Sequence, residues 1–129
     1  MKKLFLITSL IGVIVTLNSC HKNEASKADI TILEPMTNDT IALNDSLHFE
    51  GTILGDGELH GYTLSYTNST TGASLFSVAS ETHATSYAFH EHWLNNLTDT
   101  TIVNVKVEVE LDHEGNKTSK EINVVCLPQ

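Results

Sequence analysis

Thr101-Ile102-Val103-Asn104-Val105-Lys106-Val107-Glu108-Val109-Glu110-Leu111-Asp112 decides the fold. From Val103 to Leu111 every odd position is apolar, and from Asn104 to Asp112 every even position is polar. A helix would scatter this pattern around its axis, whereas a strand with one buried face requires it. His113-Glu114-Gly115-Asn116 then carries hairpin-turn chemistry, and Thr118 to Cys126 supplies the return strand. Ile122, Val124 and Cys126 share one face of that strand.

Working towards the N-terminus, the same period recurs. Thr85 to Phe89 turns Tyr87 and Phe89 inward, and Ala73 to Val78 is a shorter strand. His60 to Thr67 aligns Tyr62, Leu64 and Tyr66, while Ser46 to Ile53 aligns Leu47, Phe49, Gly51 and Ile53. Thr40 to Leu43 is a short edge strand, and Asp29 to Leu33, closed by Pro35, is the first. Gly55-Asp56-Gly57 and Asn68 to Gly72 read as turns. His90 to Asp99 reads as a connection in which Trp93, Leu94 and Leu97 plug the base of the core. Seven to eight short antiparallel strands with turn signals between them predict an all-β, immunoglobulin-like β-sandwich over residues 29–128.

Ahead of that domain, Lys2 and Lys3 precede an apolar run from Leu4 to Leu17. The run has the layout of a secretory signal and is too short for a stable membrane span. Leu17-Asn18-Ser19-Cys20 resembles the lipobox of bacterial lipoproteins, in which the cysteine is lipidated and becomes the new N-terminus. The expectation is a signal peptide over 1–19, lipidation at Cys20, and a polar tether over 20–28. The address is the cell envelope, as an outer-membrane lipoprotein, periplasmic or surface-exposed. The alternative is a cytosolic N-terminal helix. With Cys20 committed to lipid, Cys126 has no disulfide partner and reads as a small buried hydrophobe.

Composition narrows the partners. The chain has no Arg, and without Lys2 and Lys3 it sets five lysines against 16 acidic residues. Such a surface repels phosphate backbones, so nucleic acid is excluded as a partner. No nucleotide-binding glycine loop, nucleophile elbow or zinc-ribbon spacing occurs, and the expectation is a non-enzymatic protein.

Leu59-His60-Gly61-Tyr62, the single Trp93, Leu111-Asp112-His113-Glu114-Gly115-Asn116 and the Cys126-Leu127-Pro128 ending resemble small His-rich lipoproteins of Bacteroidota. These carry an uncharacterised immunoglobulin-like domain. The resemblance implies a sandwich fold and an envelope location, and no established activity. Asp39-Thr40-Ile41, Asp45-Ser46-Leu47 and Asp99-Thr100-Thr101 also resemble the O-glycosylation acceptor pattern of such proteins, and are equally ordinary turn chemistry.

Seven histidines are an unusual number for this length. Histidine is the commonest metal ligand, so placement decides what it does. In an immunoglobulin-like strand order the loops bearing His60, His83 and His113 meet at one end. Asp56, Glu58, Glu81, Asp112 and Glu114 belong to the same end. Three imidazoles beside carboxylates suit Zn²⁺ or Cu²⁺, and His60, His83 and His113 are the candidate ligands. The bland alternative is that these loop histidines cap turns or sit in solvent. His90 and His92 share a face at the opposite end, and His48 reads as an exposed strand residue. A docking role, towards another envelope protein or a glycan, is the competing function.

Overall fold

The structure is a computed structural model that describes residues 23–128. The expected signal peptide and the Cys20 lipidation site lie outside the described residues. All regular elements within them are strands: β1 Ala28–Glu34, β2 Thr40–Ile41, β3 Ser46–Leu59, β4 Gly61–Asn68, β5 Ser74–Ser80, β6 Ala84–Leu94, β7 Thr101–Glu110 and β8 Lys117–Cys126. They form a three-stranded sheet, β1-β3-β6, and a five-stranded sheet, β2-β8-β7-β4-β5.

The strand with the strictest alternation occupies the middle of the larger sheet. Val103, Val105, Val107 and Val109 of β7 are fully buried, as are Leu64 and Tyr66 of β4 and Val124 and Cys126 of β8. Leu47, Phe49 and Ile53 of β3, with Phe89 of β6, close the same core from the smaller sheet. Each fully buried side chain of this size contributes about 1.5–3 kcal/mol of transfer free energy, which holds the two sheets face to face.

Asn95 seals one end. Its buried side-chain Nδ2 lies 3.0–3.1 Å from the carbonyls of Ile41, Ala42 and Leu127, and its Oδ1 accepts from Leu97 N–H at 3.1 Å. One amide therefore ties the β2 exit, the chain end after β8 and the β6–β7 connection together.

Four expectations need correction. The sandwich is not wholly antiparallel, because β2 pairs parallel with β8 through Thr40–Val125 and Ile41–Cys126. Gly55-Asp56-Gly57 is not a turn between strands: β3 runs on to Leu59, with a register shift between Leu54 and Leu59. The connection assigned to His90–Asp99 begins later, since β6 pairs with β3 as far as Leu94–Ser46. Leu94 faces solvent at 54% exposure, while Trp93 and Leu97 do pack on the core.

The segment read as tether is also in part folded. Glu24 bridges Glu58, with Ala25 N–H donating to the Glu58 carbonyl at 3.0 Å and Glu58 N–H to the Asn23 carbonyl at 2.6 Å. Ala25 is buried in the core cluster. The register shift in β3 is where this segment seats. A Cβ at Gly57 would lie 2.4 Å from the Asn23 carbonyl oxygen and 2.6 Å from that of Glu24, so only glycine admits the approach. Asp56 fastens the segment from the other side, accepting from Ser26 N–H at 2.8 Å, Ser26 Oγ at 2.7 Å and Lys27 N–H at 3.1 Å.

Candidate metal centre

His60 occupies the single residue between β3 and β4, where the chain passes from one sheet to the other. Gly61 makes the passage possible: its φ is +136°, and a Cβ there would meet the Ser80 carbonyl at 2.3 Å. His60 N–H donates to the Glu110 carbonyl at 2.9 Å, which fixes the backbone beside the end of β7. The imidazole is thereby drawn inward, and its side chain is only 5% exposed.

Two loops bring the other rings. His83 ends the β5–β6 loop, held by Tyr87, whose hydroxyl donates to the Thr82 carbonyl and lies 3.2 Å from that of Leu59. His113 sits in the β7–β8 hairpin, which closes through Leu111 N–H to the Asn116 carbonyl at 2.8 Å. Asp112 organises that hairpin by accepting from Asn116 Nδ2, Asn116 N–H and Glu114 N–H, which hold its carboxyl below the usual carboxylate range. Ring centroids are 4.0 Å apart for His60 and His113, 4.5 Å for His60 and His83, and 5.9 Å for His83 and His113.

All three histidines singled out in the sequence therefore meet. Their donor atoms do not form one compact triad. They fall into two overlapping sets, Glu24–His60–His113 and Glu58–His60–His83, in each of which the donor atoms lie within 4.8 Å of one another. Glu24 Oε1 lies 3.5 Å from His60 Nε2 and 3.7 Å from His113 Nε2, and Glu58 Oε1 lies 3.4 Å from His83 Nδ1. Of the acids expected at this end, Glu58 reaches the imidazoles, whereas the Asp56 and Asp112 carboxylates serve their own local structure. Glu24 is the member that sequence reasoning missed, because a polar stretch without periodicity carries no sign of the bridge to Glu58.

His60 Nε2 is buried and has no hydrogen-bond partner. Leaving such a group unsatisfied costs about 1–3 kcal/mol, and a native orphan of this kind calls for an explanation. Beside it opens a cavity of about 100 Å³ lined by Gly61, Tyr62, Ser80, Glu81 and Glu110.

The sequence matches no protein-family model and no curated protein. Its fold has a solved likeness. The chain is similar to Spo0M, the sporulation control protein of Bacillus subtilis, with a TM-score of 0.55 and 12% identity over 81% of this chain. It spans only 50% of the length of that neighbour, and the likeness speaks to the fold alone.

Proposed function

We propose that this protein is a non-enzymatic, envelope-anchored lipoprotein whose immunoglobulin-like domain binds a divalent metal, Zn²⁺ or Cu²⁺, at its loop end. The strand orders favour the immunoglobulin-like reading: β1-β3-β6 corresponds to strands A-B-E, and β8-β7-β4-β5 to G-F-C-C′. One observation carries the metal: the buried Nε2 of His60, which makes no hydrogen bond and is flanked by two more imidazoles and the Glu24 carboxylate. His60, His113 and Glu24 supply three donors, and His83, on a half-exposed loop and backed by Glu58, swings in as the fourth. Nitrogen donors with a carboxylate suit both metals. Glu58 then also orients the His83 ring, the usual work of a carboxylate behind a metal-bound histidine.

The test is a calorimetric Zn²⁺ and Cu²⁺ titration of the full chain in detergent, beside a His60→Ala/His113→Ala variant. The expected result is an equivalent bound with micromolar or tighter affinity that the variant loses. Binding indifferent to both substitutions would end this reading. Lipidation is tested separately, by the mass of the native N-terminal peptide and by release of a Cys20→Ala chain from the membrane fraction.

A second reading, a module docking to an envelope protein or a glycan, draws on a different surface. Leu33 and Met36 are 56% and 71% exposed beside a cavity of about 290 Å³ that Pro35, Ile41 and His48 also line. Exposed apolar residues next to a cavity suit a docked partner.

A further inference from the structure

We propose that His48, His90 and His92 form a second divalent-metal site, for Zn²⁺ or Cu²⁺, on the outer face of the β3–β6 ladder. The register brings them together. His48 pairs directly with His92, and Glu50 with His90, so three imidazoles and a carboxylate occupy two adjacent cross-strand pairs. The neighbours Leu47, Phe49 and Phe89 point into the core, which turns the histidines outward by the period of the strand. Their donor atoms all lie within 4.8 Å of one another, and the ring centroids are 4.3 Å apart for His48 and His92 and 4.5 Å for His90 and His92.

Tetrahedral coordination at 2.0–2.1 Å places nitrogens about 3.3 Å apart, so closing on an ion needs only small rotations of outward-facing rings. The backbone is already fixed by the ladder, and it is the ladder that sets the spacing. Glu50 Oε1 lies 3.2 Å from His90 Nε2. A carboxylate placed beside one ring nitrogen can hold a proton there and leave the other nitrogen to the metal, the arrangement in which a carboxylate raises the basicity of a metal-bound imidazole. Glu34, paired with Glu50 across the β1–β3 ladder, adds a second negative charge to the same face. Three nitrogens with neighbouring carboxylates prefer Zn²⁺ or Cu²⁺ over Ca²⁺ or Mg²⁺, which take oxygen donors. The fourth position opens to solvent and would take water.

This site shares no residue with the His60 centre, so the two stand or fall apart. The test is Zn²⁺ titration of the full chain in detergent, by calorimetry and by ¹⁵N shifts of the imidazole nitrogens. Two equivalents should bind. A His48→Gln/His92→Gln variant should lose one of them, with at least a tenfold fall in affinity, and keep the one that depends on His60. A His60→Ala/His113→Ala variant should show the converse. In the unsubstituted chain Zn²⁺ should shift the ring nitrogens of His48, His90 and His92, a readout that does not depend on any variant folding. Those nitrogens staying unmoved, or His48→Gln/His92→Gln binding like the unsubstituted chain, would overturn the site. A single equivalent in the unsubstituted chain, lost in His48→Gln/His92→Gln and kept in His60→Ala/His113→Ala, would end the loop-end reading and leave this one intact.

Discussion

Glu24 Oε1 stands 3.5 Å from His60 Nε2, although one belongs to the segment ahead of β1 and the other to the β3–β4 passage. What connects them is the bridge between Glu24 and Glu58, and that bridge needs Gly57.

Gly57→Ala should therefore weaken the metal centre without touching a ligand. The added methyl displaces the Asn23 and Glu24 carbonyls, and the Glu24 carboxylate moves with them. Zn²⁺ affinity should fall by about tenfold or more, the scale seen when groups supporting a metal site are lost. Calorimetry on Gly57→Ala, Glu24→Ala and the double variant checks it. The double variant should bind no more weakly than Glu24→Ala, and additive losses would refute the linkage.

Acid should loosen the same segment. Hydrogen bonds from Ser26 Oγ, Lys27 N–H and Ser26 N–H lower the Asp56 carboxyl from 3.8 to about 2. A depressed folded pKa contributes stability that is fully present above the ordinary carboxylate value. That stability is lost as pH falls from about 4 through about 2. Amide exchange at Ala25 and Ser26 should accelerate across that window, and Asp56→Asn should exchange fast at every pH. Equal protection in the variant at neutral pH would show that the clamp is not electrostatic.

Asn95→Ala should be among the most destabilising single changes. It removes a side-chain donor from three carbonyls and an acceptor from Leu97 N–H, all at a fully buried position. Each group left without a partner costs about 1–3 kcal/mol, so a loss of about 3 kcal/mol is expected in urea unfolding. A change within 0.5 kcal/mol, about the scatter of surface substitutions, would contradict the role given to this amide.

Tyr66→Phe should go the other way. The Tyr66 hydroxyl is buried without a hydrogen-bond partner, and burial raises its pKa far above the ordinary phenol value. The ring packs on Phe76 and Trp93 at centroid distances of 4.9 and 5.7 Å, contacts that phenylalanine keeps. Removing the orphan oxygen should add about 1 kcal/mol and raise Tm by roughly 4 °C. A lower Tm would mean that the hydroxyl is satisfied in solution.

Much of this was legible in the residues. The valines of β7 declared a central strand because period two leaves no other element possible, and the convergence of His60, His83 and His113 follows from which loops share an end. The far half of β6 was harder to read. Phe89, Glu91 and Trp93 continue one face, but an acid at an inward position breaks the apolar pattern, so the residues alone end the strand at Phe89. With it went the pairing of His48 with His92, since register between strands far apart in sequence cannot be read from either strand alone. Glu24 was hidden for a related reason: its place depends on backbone hydrogen bonds to a bulged region of β3, and hydropathy carries no record of those.

If Cys20 carries a lipid as proposed, the docking of residues 23–27 bears on which way up the domain would stand. With a lipid on Cys20, only the stretch from 20 to 23 separates the bilayer from folded protein, a reach of about 10 Å at full extension. The domain would be moored by the same edge that supplies Glu24, with the His60 centre turned down towards the headgroups. His48, at the other end of β3, would look out into the surrounding compartment. Ions arriving from that side would meet the outer histidines first, and any tension on the anchor would be felt directly at Glu24.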